Sequence, residues 1–339
     1  MIAKPTPLLQ VEKLRVEFHG SAGRTVRAVR DVDLEIFEGE TLGLVGESGC
    51  GKSTLGRAML RVTEPASGSI TYLGLDITRL RGTVFRRTRA DLQMVFQDPF
   101  GSLNPRRTIA DIVAEPMLRA RGLSRAAARA AVDDLLDQVG LGREAGSRRP
   151  HEFSGGQRQR IGIARALAPS PRFVVADEPV SALDVSIQAQ VINLLTDLIR
   201  DRGLTMLFIS HDLGVVKHIA DRIAVMYLGE IIEIASRDDF FAGPAHPYGE
   251  ALLSSVPSLG SARERIELAG ELPDPASPPP GCTFHTRCRY AIDRCRVEAP
   301  VLREVAPGRQ VRCHLPLLTI AAAPSAPAPV GPVTKGTTA

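Results

Sequence analysis

No stretch of this 339-residue sequence approaches the roughly 20 consecutive apolar residues that a bilayer-spanning helix requires. The N-terminus, MIAKPTPLLQVEKL, also lacks the apolar run of a secretory signal, so the expectation is a chain made and kept in the cytosol. Tryptophan is absent altogether, which is unusual but names no function. Cysteine is scarce: there are five, four of them late in the chain. In a reducing compartment this excludes a disulfide-dependent fold, and a chain of this length can bury a sufficient apolar core without one. Charge of one sign is scarce too, since a net +4 spread over the whole chain describes a solvated surface and does not call for nucleic acid or acidic lipid. The basic segment 79–89 reads the same way, and no internal repeat is present.

What is present alternates. Residues 8–40 read as short strands, among them 14–18 and 32–36, with a turn at 20–23. Residues 41–45 form a buried-type strand followed by a Gly-rich turn, and a helical pattern resumes after Lys52. Residues 109–139 carry Ala, Leu, Arg and Asp at helical spacing, as an inserted helical subdomain would. Strand-like runs at 173–176 and 205–210 end in charged residues, which predicts a parallel sheet with its chemistry at the strand C-termini. After about Ser236 Pro, Gly and Cys become frequent and a separate small region is expected. The division is 1–240, 241–320 and a disordered tail at 321–339.

Residues 46–53 spell GESGCGKS, a phosphate loop between a predicted strand and a predicted helix. Gly46, Gly49 and Gly51 let the backbone turn its N–H groups toward phosphate. Lys52 reaches the β and γ phosphates, Ser53 offers a hydroxyl to Mg²⁺, and Ser48 and Thr54 complete the turn, with Cys50 a spectator inside it. FVVADEP at 173–179 is a hydrophobic strand ending in a carboxylate pair: Asp177 suits Mg²⁺ and Glu178 a general base. FSGGQRQRIGIARAL at 153–167 starts a capped helix at Ser154, with Gly155, Gly156 and Gln157 at its anion-attracting end. Two phosphate cradles serve one nucleotide when they belong to different subunits.

These residues resemble the ABC transporter ATPases, whose signature is close to LSGGQ; Phe153 stands in place of the usual Leu. The resemblance implies a P-loop NTPase of the α/β class, with a RecA-like core, an antiparallel β subdomain, a helical signature subdomain and here a small Cys-rich extension. It implies that Gln97 senses Mg²⁺ and the attacking water, that Asp184 lies in a loop crossing the dimer interface, that His211 contacts the γ-phosphate, and that Phe18 stacks on adenine. Mg²⁺ would then be held through Ser53, Gln97 and Asp177. Segments 97–108, 245–257 and 281–288 are similar to the oligopeptide and dipeptide importers, except that Gly249 stands where that group often has Thr, which is expected to weaken a helix cap. The implied partners are a second, non-identical ATPase, two membrane permeases and an extracytoplasmic peptide-binding protein, at the cytoplasmic face of the inner membrane. Nickel or another small solute is the alternative cargo. A soluble repair or translation ATPase fits poorly, because the spacing from Lys52 to Ser154 leaves no room for a long coiled coil and only one cassette is present.

Cys282, Cys288, Cys295 and Cys313 lack the paired spacing of ordinary zinc sites. The resemblance implies a [4Fe–4S] cluster on them. Structural zinc, with His285 and His314 as spare ligands, and free thiols are the other readings.

Overall fold

The computed structural model describes residues 6–20, 24–98, 101–256 and 264–317; the tail expected at 321–339 lies outside them. The chain opens with two long antiparallel strands, β1 (Pro7–His19) and β2 (Thr25–Phe37), where only short ones were expected. Register shifts at Leu14 and Val16 explain the length, because bulges let a long ribbon twist without losing its buried face. That face holds Leu9, Val11, Val16, Val32, Leu34 and Ile36.

Five strands pair in parallel in the order β9 (Arg222–Tyr227), β3 (Thr41–Val45), β8 (Thr205–Ile209), β7 (Phe173–Asp177), β6 (Leu92–Val95). All five residues of β3, β7 and β8 are buried, as a sheet covered on both faces demands. Alternation sorts them into two cores. Leu42, Leu44, Phe173, Val175, Leu207 and Ile209 pack with β1, β2 and helix α1 (Lys52–Met59). Val174, Ala176, Met206 and Phe208 pack with helices on the other face. β4 (Ser67–Tyr72) and β5 (Leu75–Asp76) complete the antiparallel sheet, and the basic segment forms the largely exposed helix α2 (Gly82–Asp91).

The helical insertion comprises α3 (Ile109–Pro116), which runs into one π turn at Met117–Arg121, and α4 (Arg125–Gln138), capped by Ser124. After it come α5 (Gly155–Leu167), α6 (Val185–Arg202) and α7 (Leu213–Ile219).

The C-terminal part does not stand apart from this sheet. β10 (Glu230–Ser236) pairs antiparallel with β9 and then with β12 (Arg309–Val311), which pairs with β11 (Arg303–Ala306), while α8 (Arg237–Ala242), α9 (Pro247–Ser254) and α10 (Asp293–Val297) lie between. Glu233, fully buried on β10, accepts from the Ala245 and His246 amides at 2.7 and 2.9 Å and from Arg309 Nη2 at 3.1 Å. Burial raises its pKa, and these donors oppose the rise. The cap of α9 is His246, whose Nδ1 accepts from the Tyr248 amide at 3.0 Å. Gly249 therefore does not weaken a cap: a Cβ there would lie 3.0 Å from Glu233 Oε2 and from Pro244 Cβ, so the residue is small because the buried carboxylate passes close by.

Accepting through Nδ1 keeps the enclosed His246 ring neutral, and burial pushes its pKa down to about 3. The unfolded chain then binds the extra proton below its usual pKa near 6.5, so stability is whole above that value and falls with pH at about 1.4 kcal/mol per unit. Urea unfolding at pH 7 and pH 5 should show His246→Gln losing about 2 kcal/mol less on acidification than the wild type.

Candidate active site

Register brings three strand ends together: Leu44 and Asp177 both face Ile209 across the ladder. The phosphate loop leaves β3 at Gly46, the acidic pair closes β7, and His211 follows β8. Gly46 and Gly51 have φ of 153° and 108°, and a Cβ on either would lie 2.2 Å from Met226 O or 2.1 Å from Ala28 O. Lys52, 4% exposed, donates from Nζ to Gly46 O at 2.7 Å and Glu47 O at 2.9 Å, so the loop is closed around its own cation. Ser48 and Gly49 form the exposed tip and Thr54 is half-buried. Cys50 is buried, its thiol pKa raised by desolvation.

Asp177 is fully buried and accepts from Ser53 Oγ at 2.6 Å, with Arg57 Nη2 at 3.5 Å. Desolvation raises its pKa ahead of the opposing bond from Ser53, a cost that a nearby divalent cation would offset. Glu178 holds a left-handed backbone, φ 45°, unusual for a residue with a side chain and typical of functional positions. Its Oε2 lies 3.2 Å from Gln97 Nε2 and 3.3 Å from His211 Nδ1. Five of the singled-out residues thus form two adjacent clusters, Ser53 with Asp177 and Gln97 with Glu178 and His211. A water beside Glu178 would find a carboxylate aimed by two flanking groups.

The remaining candidates lie outside these two clusters. Ser154 caps α5 in a reciprocal box with Gln157, the Ser154 amide donating to Gln157 Oε1 at 3.0 Å and the Gln157 amide to Ser154 Oγ at 3.4 Å. Gly156 presses on Ile187, where a Cβ would come within 2.5 Å of Cγ2, and Gly155 is half-buried. Asp184 precedes α6 with its side chain making no cap bond, and Phe18 is 47% exposed on β1. Ser154 and Gln157 spend these bonds on each other and not on the phosphate loop.

Two contacts on the loop escaped the sequence reading. The Glu47 amide donates to Tyr248 Oη at 2.7 Å, and Arg287 grips the Glu47 carboxylate with both Nη atoms at 2.6 and 3.0 Å. The only sequence signals were the HPY and HTRC segments themselves. The four late cysteines are free and line one cavity with Phe284, Tyr290 and Leu315. Burial raises Cys282 to about 12 and Cys313 to about 11. Among the described residues no group of three His, Cys, Asp or Glu side chains is arranged to hold a metal. His285 and His314 are engaged with the carbonyls of Cys282 and Glu298 at 2.8 and 2.9 Å.

The ABC transporter family profile matches residues 29–181, and that of the oligopeptide/dipeptide transporter C-terminal region matches 232–295. The putative oligopeptide transport ATP-binding protein YkfD of Bacillus subtilis is 55% identical over 91% of this chain and 95% of its own length. This chain belongs to the ABC transporter ATP-binding proteins of the oligopeptide/dipeptide group. Another relative, the oligopeptide transport ATP-binding protein AppF of the same organism, is 54% identical over 86% of this chain and 90% of its own. Among solved structures, the dimeric post-hydrolysis state of the ATP-binding cassette MJ0796, bound to ADP and Pi, superimposes with a TM-score of 0.62 at 28% identity, covering 68% of this chain and 98% of that one. The chain is an ABC-type ATPase. Among the described residues no helix is long and apolar enough to cross a membrane.

The loop geometry predicts an order of tolerance. Gly46→Ala and Gly51→Ala should abolish ATP binding in a fluorescent-nucleotide assay, because backbone oxygens occupy the space of the new methyl. Gly49→Ala meets no atom within 4 Å and should cost only the left-handed strain of its φ of 82°, about 1–2 kcal/mol.

Proposed function

We propose that this ATPase drives uptake of dipeptides and oligopeptides from the cytoplasmic face of the inner membrane. It would pair with a second, non-identical ATPase, two transmembrane permeases and an extracytoplasmic peptide-binding protein, with no nucleic acid involved. The observation that carries the cargo class is the match of residues 232–295 to the oligopeptide/dipeptide transporter region, on the same chain as the cassette. The relatives named for oligopeptide transport over most of their length support it.

In this reading the loop amides and Lys52 bind the phosphates. Ser53, Gln97 and Asp177 would hold Mg²⁺, which a short hydroxyl–carboxylate pair and a buried, desolvated aspartate suit, and a bound ion would supply positive charge to the phosphates. Glu178 accepts a proton from the attacking water as its oxygen bonds to the γ-phosphorus and the bond to the leaving ADP oxygen breaks. Gln97 and His211 hold that carboxylate in place. Exposed Ser154 and Gln157, with the backbone of Gly155 and Gly156 between them, close over nucleotide bound by the other ATPase, and Asp184 and Phe18 complete the interface and the adenine shelf. The dimeric form of MJ0796 supports this arrangement.

The four cysteines would hold the [4Fe–4S] cluster in this reading, zinc being the rival. Four free thiols, Cys295 buried and the other three half-buried, line one cavity and are the donor type such a cluster takes, and the Leu315 amide already donates to Cys313 Sγ at 3.3 Å. A structural role suits the site.

Glu178→Gln should bind ATP with unchanged affinity and hydrolyse it at least about 100-fold more slowly, measured by phosphate release. In proteoliposomes, the assembled transporter should respond to peptide-loaded binding protein; stimulation by nickel or a sugar but not by peptides overturns the cargo class. Protein purified without oxygen should carry iron and sulfide, and zinc in their place would sink the cluster.

A further inference from the structure

The C-terminal extension holds the phosphate loop at Glu47, and holds it twice. Tyr248 Oη takes the backbone N–H while Arg287 takes both carboxylate oxygens. The Arg287 side chain is 6% exposed and Tyr248 is fully buried, so the extension's half of each contact is shielded, while the Glu47 side chain keeps 30% exposure. Phe284 packs edge-on to Tyr248 and to Tyr227 with ring centroids 5.4 and 5.1 Å apart, fixing the turn from which Arg287 departs. That turn is itself closed by Arg287 N–H donating to Phe284 O at 3.0 Å.

We infer that Arg287 and Tyr248 are positioning residues for ATP: they neutralise and immobilise Glu47, whose carboxylate would otherwise stand free at the rim of the anion cradle. The inference rests on residues 46–54 being that cradle. Without Arg287, a mobile negative group borders the site of a polyphosphate, and the loop loses one of its two outer anchors. Affinity suffers through repulsion and through lost preorganisation, whereas the groups around Glu178 are untouched.

Binding of fluorescent ATP and steady-state hydrolysis by the full-length chain test this. Lys52→Ala is the control for the cradle; if it binds as the wild type does, the cradle reading itself fails. With that control behaving, Arg287→Met should weaken ATP binding about tenfold, with kcat at saturating ATP within about twofold. Adding Glu47→Gln to it removes the stray charge and should restore affinity to within about threefold. The loss in the single variant should also shrink at high salt, which a purely structural defect would not do. Wild-type affinity in Arg287→Met, or a double variant as weak as the single, overturns the proposal. Should Arg287→Met fail to fold, Tyr248→Phe deletes one oxygen from the same clamp; unchanged ATP affinity there overturns it equally.

Discussion

The parallel pairing of β3, β8 and β7 is the constraint on which everything catalytic rests. Because Leu44, Ile209 and Asp177 share one row of the ladder, the three chains leave the sheet side by side, and a phosphate loop, a histidine and a carboxylate pair emerge within reach of one another. No long-range pairing of side chains is needed to assemble them. The sheet is in turn held by two cores that its own alternation feeds, one under the antiparallel strands and one under the helices. A one-residue slip of β7 would bury Glu178's neighbours on the wrong face and withdraw the acid from Ser53.

Against this rigid base, the loop is held from outside as well as from within. Lys52 ties it from below through two carbonyls, and the C-terminal extension grips it from the side. The extension is itself anchored by the buried Glu233, which gathers the start of α9, the chain before it and Arg309 around one carboxylate. Phe284 belongs both to the aromatic cluster behind Tyr248 and to the wall of the cysteine-lined cavity, so the two features share one side chain.

Local chemistry was legible in the sequence. Ser154 and Gln157 stand three apart, so a reciprocal cap could be read from spacing alone, and the strand at 173–176 and the loop at 46–53 carry their own signals. The parallel core followed from alternation of strands and helices. What could not be read depends on distance or on backbone detail. Arg287 meets Glu47 across 240 positions, and no periodicity connects them. The left-handed turn at Glu178 leaves no trace in composition. Bulges doubled the length of strands whose interrupted alternation looked like several short ones. The shift in composition after Ser236 suggested a break, yet β12 joins the sheet because backbone pairing is indifferent to the Pro and Gly between.

That joining strand bears on what becomes of the sheet's edge. Without β12 and β11, β10 would present an unpaired row of amides and carbonyls beside a run of Ile231, Ile232 and Ile234, an inviting template for a stranger's strand. The hairpin pairs with Glu233 and Ile234 of that row and offers instead a short border bearing Arg303 and Glu304, so it also serves as a guard against self-association of the sheet.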